Sequence, residues 1–331
     1  MVLLVDGLGA RLLARTLDAA PTLASLSGGP IAAAFPTTTP TGLATLGTGS
    51  LPGHHGLVGA AFWLPEIDRI LEPLHWGSDP VPVAVQPEPT VFELAARAGV
   101  SVATITAEEY RDSGLTRAVL RGGEYHGVAP ADFAGRVEAL RAVQAGSPRT
   151  LTYVYWGEVD RVGHEFGVQS PQWRAALARA DAIVASLLDA LAPGSVLVVT
   201  ADHGMVDCAA DDAVPVDVDA RLTAGVAAVV GDPRARHVYV RPGAVDDVRA
   251  AWGAVLGDRV RLLRREEVVE SGLMGVVDPF VAERIGDLMA VSRGTTKLTT
   301  RADARVSALI GQHGGLTADE VDVPALRYRA E

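Results

Sequence analysis

The sequence predicts an α/β protein built on a doubly wound, mostly parallel sheet with helices on both faces. Three observations carry that expectation. Short apolar runs end in polar or glycine-rich turns, helical-period stretches separate them, and 331 residues suffice for one large domain with a small insertion.

The apolar runs are Val2 to Val5, Ile31 to Phe35, Val100 to Thr106, Leu151 to Tyr155 and Val196 to Thr200. Each reads as a buried parallel strand, because a strand covered on both faces needs apolar residues at consecutive positions. The clearest helix runs from Pro171 to Leu191. Ser170 supplies an N-cap oxygen, and the fixed φ of Pro171 suits the first helical position. Trp173, Leu177, Ala180, Ile183, Leu187 and Leu191 recur every three or four residues and form one apolar face, which Pro193-Gly194 ends. From 207 to 275 the texture changes to Val214-Pro-Val-Asp-Val, a strand over Arg236 to Arg241 and an acid-start helix from Asp246 to Leu256. This stretch is expected to form a small α/β insertion or cap, leaving 1–206 and 276–331 as the main domain.

Hydrophobic residues at 48% and charged residues at 21% are globular proportions and exclude disordered and fibrous classes. The net charge of −11, with arginines scattered, argues against binding nucleic-acid polymers. The single cysteine, Cys208, excludes an intrachain disulfide framework and a cysteine-based zinc site, and reads as a small buried thiol. The chain opens directly on a strand, and no apolar run is long enough to span a bilayer. The expectation is a cytoplasmic protein with no membrane partner; the composition carries no signal of oligomeric state.

Ligands of open α/β sheets gather beyond the carboxyl ends of the strands. Asp6 follows the first apolar run, Asp160 the fourth and Asp202 the fifth. Asp160 and His164, four residues apart, share a face if the segment is helical, although such a pair alone is more often a surface interaction. Asp202 and His203 can serve one centre only if the chain turns sharply, which Gly204 permits; a capping Asp beside a core His is an equal alternative. His313 lies in Gly311-Gln-His-Gly-Gly, and Asp6 taken alone could cap a helix. Jointly, three Asp and three His make two sets of three N/O ligands, the supply for two zinc-like ions with open positions. Between them, Phe35-Pro36-Thr37-Thr38-Thr39-Pro40-Thr41-Gly42 leads into a helix that starts near Pro40. A hydroxyl there meets the positive end of the helix dipole, a place to hold phosphate.

This assembly resembles the alkaline phosphatase superfamily, in particular its nucleotide pyrophosphatase/phosphodiesterase branch, from Asp6 through His313-Gly-Gly-Leu-Thr-Ala-Asp-Glu-Val-Asp-Val-Pro. The resemblance implies that Asp160, His164 and His313 bind one zinc and Asp6, Asp202 and His203 the other, with manganese as the alternative metal. It implies that Thr39 bridges the ions and is the nucleophile, hydrolysing a small phosphodiester or phosphoanhydride through a covalent threonyl intermediate. Sulfatase relatives need a Cys/Ser-x-Pro-x-Arg turn, and phosphoglycerate-mutase relatives a Ser soon after the first Asp; this chain has neither. It departs from the branch at Pro40, which lacks an N–H, and at Gly42, where eukaryotic members carry Asn, so the oxyanion side is expected to be thinly furnished. His54-His55-Gly56 resembles a family Ser-His-Gly turn to which no ligand role transfers. His75, His126 and His237 read as structural, and Tyr155 and Trp156 as core. A phosphonate such as phosphonoacetate, or a phosphomonoester, is the alternative substrate, disfavoured by the lack of an obvious Arg near Thr39. A catalytically silent metal-binding protein is the alternative from another class.

Overall fold

The computed structural model describes residues 1–331. Its main sheet is built from β1 (Val2–Val5), β2 (Ser27–Ala32), β3 (Ser101–Ala107), β4 (Glu124–Val128), β5 (Thr150–Trp156) and β6 (Val196–Thr200). A second sheet contains β7 (Val226–Asp232), β8 (Ala235–Val240), β9 (Val260–Arg264) and β10 (Leu288–Ser292), and β11 (Asp322–Arg329) returns to the main sheet. The spatial order of the main sheet is β2, β11, β6, β1, β5, β3, β4. The five strands from β6 to β4 run parallel. β11 pairs antiparallel with β6, and β2 antiparallel with β11.

Alternation along the strands builds two cores. Leu3, Val5, Val154, Trp156, Leu197 and Val199 share one core with the apolar face of a long helix, and the alternating Leu4 and Tyr153 point into the other. A sheet apolar on both faces must be covered on both, which is the doubly wound arrangement.

Four helices position the candidate site or support the elements around it: α1 (Thr39–Thr48), α2 (Glu158–Phe166), α3 (Pro171–Ala190) and α4 (Val245–Leu256). Ser170 caps α3 by accepting from Trp173 N, and Trp173, Leu177, Ala180, Ile183 and Leu187 are buried. Leu191, expected as the last helical residue, already has extended backbone and serves as the C-cap. α3 packs along α2, where Trp173 lies under Gly163.

Two expectations need correction. The run Ile31 to Phe35 is not a buried parallel strand: the strand is β2, exposed throughout, at the antiparallel edge, and only Phe35 beyond it is buried. An edge strand has one neighbour and no covering helix, so apolarity alone misplaces it. The 207–275 stretch does not close on itself. The second sheet runs β7, β8, β10, β9, so it takes β10 from beyond 275, and residues 213–215 pair with 297–299. One face of this sheet packs on α4 through Val248, Trp252 and Leu256, while Met289, Val291, Ala235 and Leu263 join the main core. No helix is long and apolar enough to cross a membrane.

Trp173 is fully buried at the α3–α2 contact. Trp173→Ala is predicted to destabilise the fold by ~3–5 kcal/mol through lost transfer energy and a residual cavity, measured by urea denaturation.

Candidate active site

Asp6 continues the ladder at the end of β1, its N–H donating to Trp156 O at 2.9 Å. It caps no helix, since the next one starts at Ala10 with Gly9 as N-cap. Asp160 stands in the first turn of α2 and His164 one turn later, so the pair does share a helical face, with Nε2 3.4 Å from the carboxylate. Asp202 and His203 follow β6 through a sharp turn. Gly204 serves this turn by close approach: a Cβ there would lie 2.0 Å from Asp319 O, and Gly204 N donates to Glu320 O. His313 follows a two-residue ladder, 311–312 against 206–207, that fastens its loop to the one after His203.

The structure gathers five of the six expected ligands into two compact groups, with His203 rather than His164 grouped with Asp160 and His313. Candidate ligand atoms of Asp6, Asp202 and His203 lie within 4.8 Å of one another, and so do those of Asp160, His203 and His313. His203 thus stands between both groups, stacked on His313 with ring centroids 3.8 Å apart; His164 borders the second group, 5.1 Å from the His313 ring. Thr39 lies in the first turn of α1, and its Oγ1 is 3.2 Å from His203 Nε2.

The donor set fits divalent cations on two observations. Asp6 Oδ1, Asp160 Oδ1 and Asp202 Oδ2 are buried and make no hydrogen bond. Each histidine turns Nδ1 to a backbone carbonyl: His164 to Gly311 O at 2.7 Å, His203 to Gly204 O at 2.9 Å, and His313 to Thr37 O at 2.9 Å. A carbonyl only accepts, so Nδ1 carries the proton and Nε2 presents a free lone pair, the arrangement that holds a metal-binding imidazole in its tautomer.

Electrostatics at the site are those of crowded anions. Burial, then the charges of Asp202 and Asp160, hold the Asp6 carboxyl well above the usual range. Burial and Asp160 raise Asp202 to about 7. Burial, with His203 and His164 nearby, pushes His313 well below an ordinary imidazole, so it stays neutral.

A slot of about 290 Å³ opens beside Thr39, Asp6 and Asp160, walled by Tyr110, Tyr155, Leu43, Leu115 and Leu120. No Lys or Arg lines it; its other polar groups are hydroxyls of Thr106, Ser113, Thr116 and Tyr153. Tyr155, read from sequence as core, is half-buried, walls the slot and donates its hydroxyl to Asp6 Oδ2 at 2.5 Å. Trp156 is core. The signal available for Tyr155 is parity: it shares a strand face with Tyr153, opposite Trp156. Tyr110 and Asp232, a buried acid near the threonine turn, carry no sequence signal.

Position 42, where the resemblance expects Asn, is closely packed. A Cβ at position 42 would come within 2.5 Å of Asp202 Cβ. Position 42 faces a ligand-bearing turn at contact distance, so glycine is a packing requirement there. The remaining histidines lie outside the cluster. His55 is buried, its Nδ1 accepting from Leu57 N, and burial lowers it to about 3. His237 accepts from Gly286 N and is lowered by burial to about 4. His54 pairs with Asp278 and Glu88. Cys208 is buried, which raises its thiol.

The fold is a doubly wound α/β sheet with an acid–histidine cluster beyond the carboxyl ends of its parallel strands. The chain belongs to the type I phosphodiesterase / nucleotide pyrophosphatase family, whose model matches residues 1–316. Human ectonucleotide pyrophosphatase/phosphodiesterase family member 7 is 26% identical over 185 residues, 51% of this chain. That match spans only 39% of the human protein. Murine ectonucleotide pyrophosphatase/phosphodiesterase 5 superimposes with a TM-score of 0.80 at 19% identity, covering 100% of this chain and 87% of that one. Phosphonoacetate hydrolase from Sinorhizobium meliloti 1021, solved with phosphonoformate, gives 0.72 at 21% identity, covering 100% and 89%. At these identities the structural likeness establishes the fold.

We predict that zinc added to chelator-stripped protein raises Tm, and more at pH 8 than at pH 5. The Asp202 carboxyl, raised to about 7, contributes stability that is full below about pH 4, its unfolded value, and is lost as pH rises through 7. A cation offsets that loss, whereas at pH 5 it must first displace protons. Calorimetry at both pH values checks this; an equal shift at both would contradict it.

Proposed function

We propose that the chain hydrolyses small phosphodiesters or phosphoanhydrides of nucleotide type through a covalent intermediate on Thr39. The observation that carries this reading is the position of Thr39 Oγ1, 3.2 Å from the histidine that stands between both acid–histidine groups. The resemblance assigns Asp160, His164 and His313 to one divalent cation and Asp6, Asp202 and His203 to the other. Bound there, such ions supply Lewis-acid activation of a hydroxyl and neutralisation of phosphoryl charge. The ligands are oxygen and nitrogen without thiolate, a set suited to zinc and equally open to manganese.

The protein's own groups do the rest. Thr39 sits at the start of a ten-residue helix, where the dipole favours the oxygen anion and the phosphoryl group. Its oxygen attacks phosphorus, the bond to the leaving alcohol breaks, and that alcohol departs with a proton. Water then attacks the same phosphorus, the bond to Thr39 breaks, and the hydroxyl regains its proton. The slot holds one ester group against Tyr110 and Tyr155, and its apolar walls exclude water from the acceptor side.

Diesters are favoured over monoesters and phosphonates because the slot has no guanidinium or ammonium group to pair with a second negative charge. Murine ectonucleotide pyrophosphatase/phosphodiesterase 5 has been solved as an inactive variant with AMP, a phosphomonoester of the kind that hydrolysis of a nucleotide-type diester releases. The phosphonoacetate hydrolase neighbour is the observation favouring the alternative substrate.

With zinc present, Thr39→Ala is expected to abolish turnover of the nitrophenyl ester of thymidine monophosphate, while Thr38→Ala retains it. Full turnover by Thr39→Ala would remove the nucleophile assignment, and the reverse pattern would move it to Thr38. On one wild-type preparation, the diester is expected to turn over faster than nitrophenyl phosphate and phosphonoacetate; the opposite order would favour the alternative substrates.

A further inference from the structure

In the group formed by Asp6, Asp202 and His203, each carboxylate has one oxygen held and one left free. Asp202 Oδ1 accepts from two main-chain donors, Gly7 N at 3.3 Å and His203 N at 3.1 Å, and its Oδ2 is buried without a partner. Asp6 Oδ2 accepts from the Tyr155 hydroxyl at 2.5 Å, and its Oδ1, 3.5 Å from His203 Nε2, is buried without a partner. The backbone therefore orients Asp202, as it orients the three histidines through their Nδ1 atoms. Asp6 is oriented by a side chain.

The sheet register explains why Tyr155 reaches it. Leu4 on β1 lies beside Tyr155 on β5, and residues two apart on a strand share a face, so Asp6 stands one step further along the face that carries Tyr155. A tyrosine leaning along its strand spans that step of roughly 6.6 Å. Gly157 leaves room for the phenol: a Cβ there would lie 2.8 Å from the Tyr155 hydroxyl oxygen. The ring meets Tyr110 edge-on, with centroids 6.1 Å apart and planes at 85°, and both rings wall the slot. One side chain thus touches the substrate slot with its ring and a candidate cation ligand with its hydroxyl.

We propose that Tyr155 is a positioning residue for the cation that Asp6 would hold: its hydroxyl occupies Oδ2 and leaves Oδ1 as the one oxygen turned to His203. This rests on the reading of the acid–histidine groups as cation sites. A carboxylate only accepts, so the phenol donates and fixes the rotation of the Asp6 carboxylate. A carboxylate without that donor loses rotational freedom when it binds a cation, so the donor raises affinity.

The test is competition for zinc between the chelator-stripped protein and a zinc-sensitive dye, run on wild type, Tyr155→Phe, Gly157→Ala and Tyr110→Phe. Tyr155→Phe keeps the ring and removes the donor, and one zinc-binding step is expected to weaken ~10- to 100-fold. Gly157→Ala keeps the phenol and displaces it from Asp6, and is expected to weaken the same step. Tyr110→Phe removes the neighbouring phenol of the slot wall and is expected to bind zinc as wild type does. Wild-type zinc binding by Tyr155→Phe, or equal weakening by Tyr110→Phe, would overturn the proposal. So would a Tyr155→Phe protein whose metal-free Tm falls while its zinc affinity holds, since the hydroxyl would then serve the fold alone. If Tyr155→Phe does not fold, Gly157→Ala decides: weaker zinc binding supports the proposal, and wild-type binding overturns it. Weakened zinc binding by Tyr155→Phe beside a zinc-loaded wild type that hydrolyses no diester fails the functional reading and leaves this inference standing. An active wild type beside unchanged zinc binding in Tyr155→Phe fails only the inference, and a wild type that binds no zinc overturns both.

Discussion

Asp6, Asp160 and Asp202 occupy one largely buried space, and the rest of the site depends on how that crowding is tolerated. Ligand atoms of Asp6 and Asp202 lie within 4.8 Å of each other. Two like unit charges about 4 Å apart repel by ~4 kcal/mol at an effective dielectric of ~20. Two or three such pairs approach the ~5–15 kcal/mol net stability of a typical domain. Neutralisation is therefore a condition of the folded state, met by protons, as the raised carboxyls of Asp6 and Asp202 record, or by cations. The unbonded oxygens on all three acids and the fixed tautomers on three histidines are what a cation-neutralised site requires.

The sheet imposes the crowding. β6, β1 and β5 are neighbours and parallel, so the residues beyond their carboxyl ends leave the sheet on one edge about 4.8 Å apart. Asp202 and Asp6 come directly from the first two, and Asp160 from the first turn of the helix after the third. His313 arrives from the far end of the chain and is fixed by the short ladder to Val206 and Asp207 and by the Thr37 carbonyl. Glycines at 42 and 204 let the turns touch, because at both positions a methyl group would overlap a neighbouring atom.

Much of this is legible in the sequence because it depends on period and order. Consecutive apolar residues mark buried strands, and an acid just past a strand end marks the ligand-binding edge. Asp6, Asp160 and Asp202 emerge that way as candidates, while the three histidines and Thr39 join them through the family resemblance. What stays hidden depends on non-local contact. The exposed edge strand β2 carries Ile31 and looks like a core strand in composition. The second sheet recruits β10 across more than twenty residues, which no local pattern reports. Asp232 accepts from Thr38 across a sequence separation of 194, and Gly42 reads as a missing side chain until its distance to Asp202 is known. The role of Tyr155 requires knowing that one strand face lines a slot and the opposite face a core.

Phosphoryl transfer through Thr39 is the step on which the whole functional reading turns. Acid quenching of zinc-loaded protein during turnover of the nitrophenyl ester of thymidine monophosphate, with peptide mapping of the trapped adduct, reads that step directly. A thymidylyl group on Thr39 is expected to form within one turnover and to disappear when substrate is exhausted. Turnover at full rate with no adduct on the peptide containing Thr39, or with the adduct on another residue, would rule out transfer through Thr39.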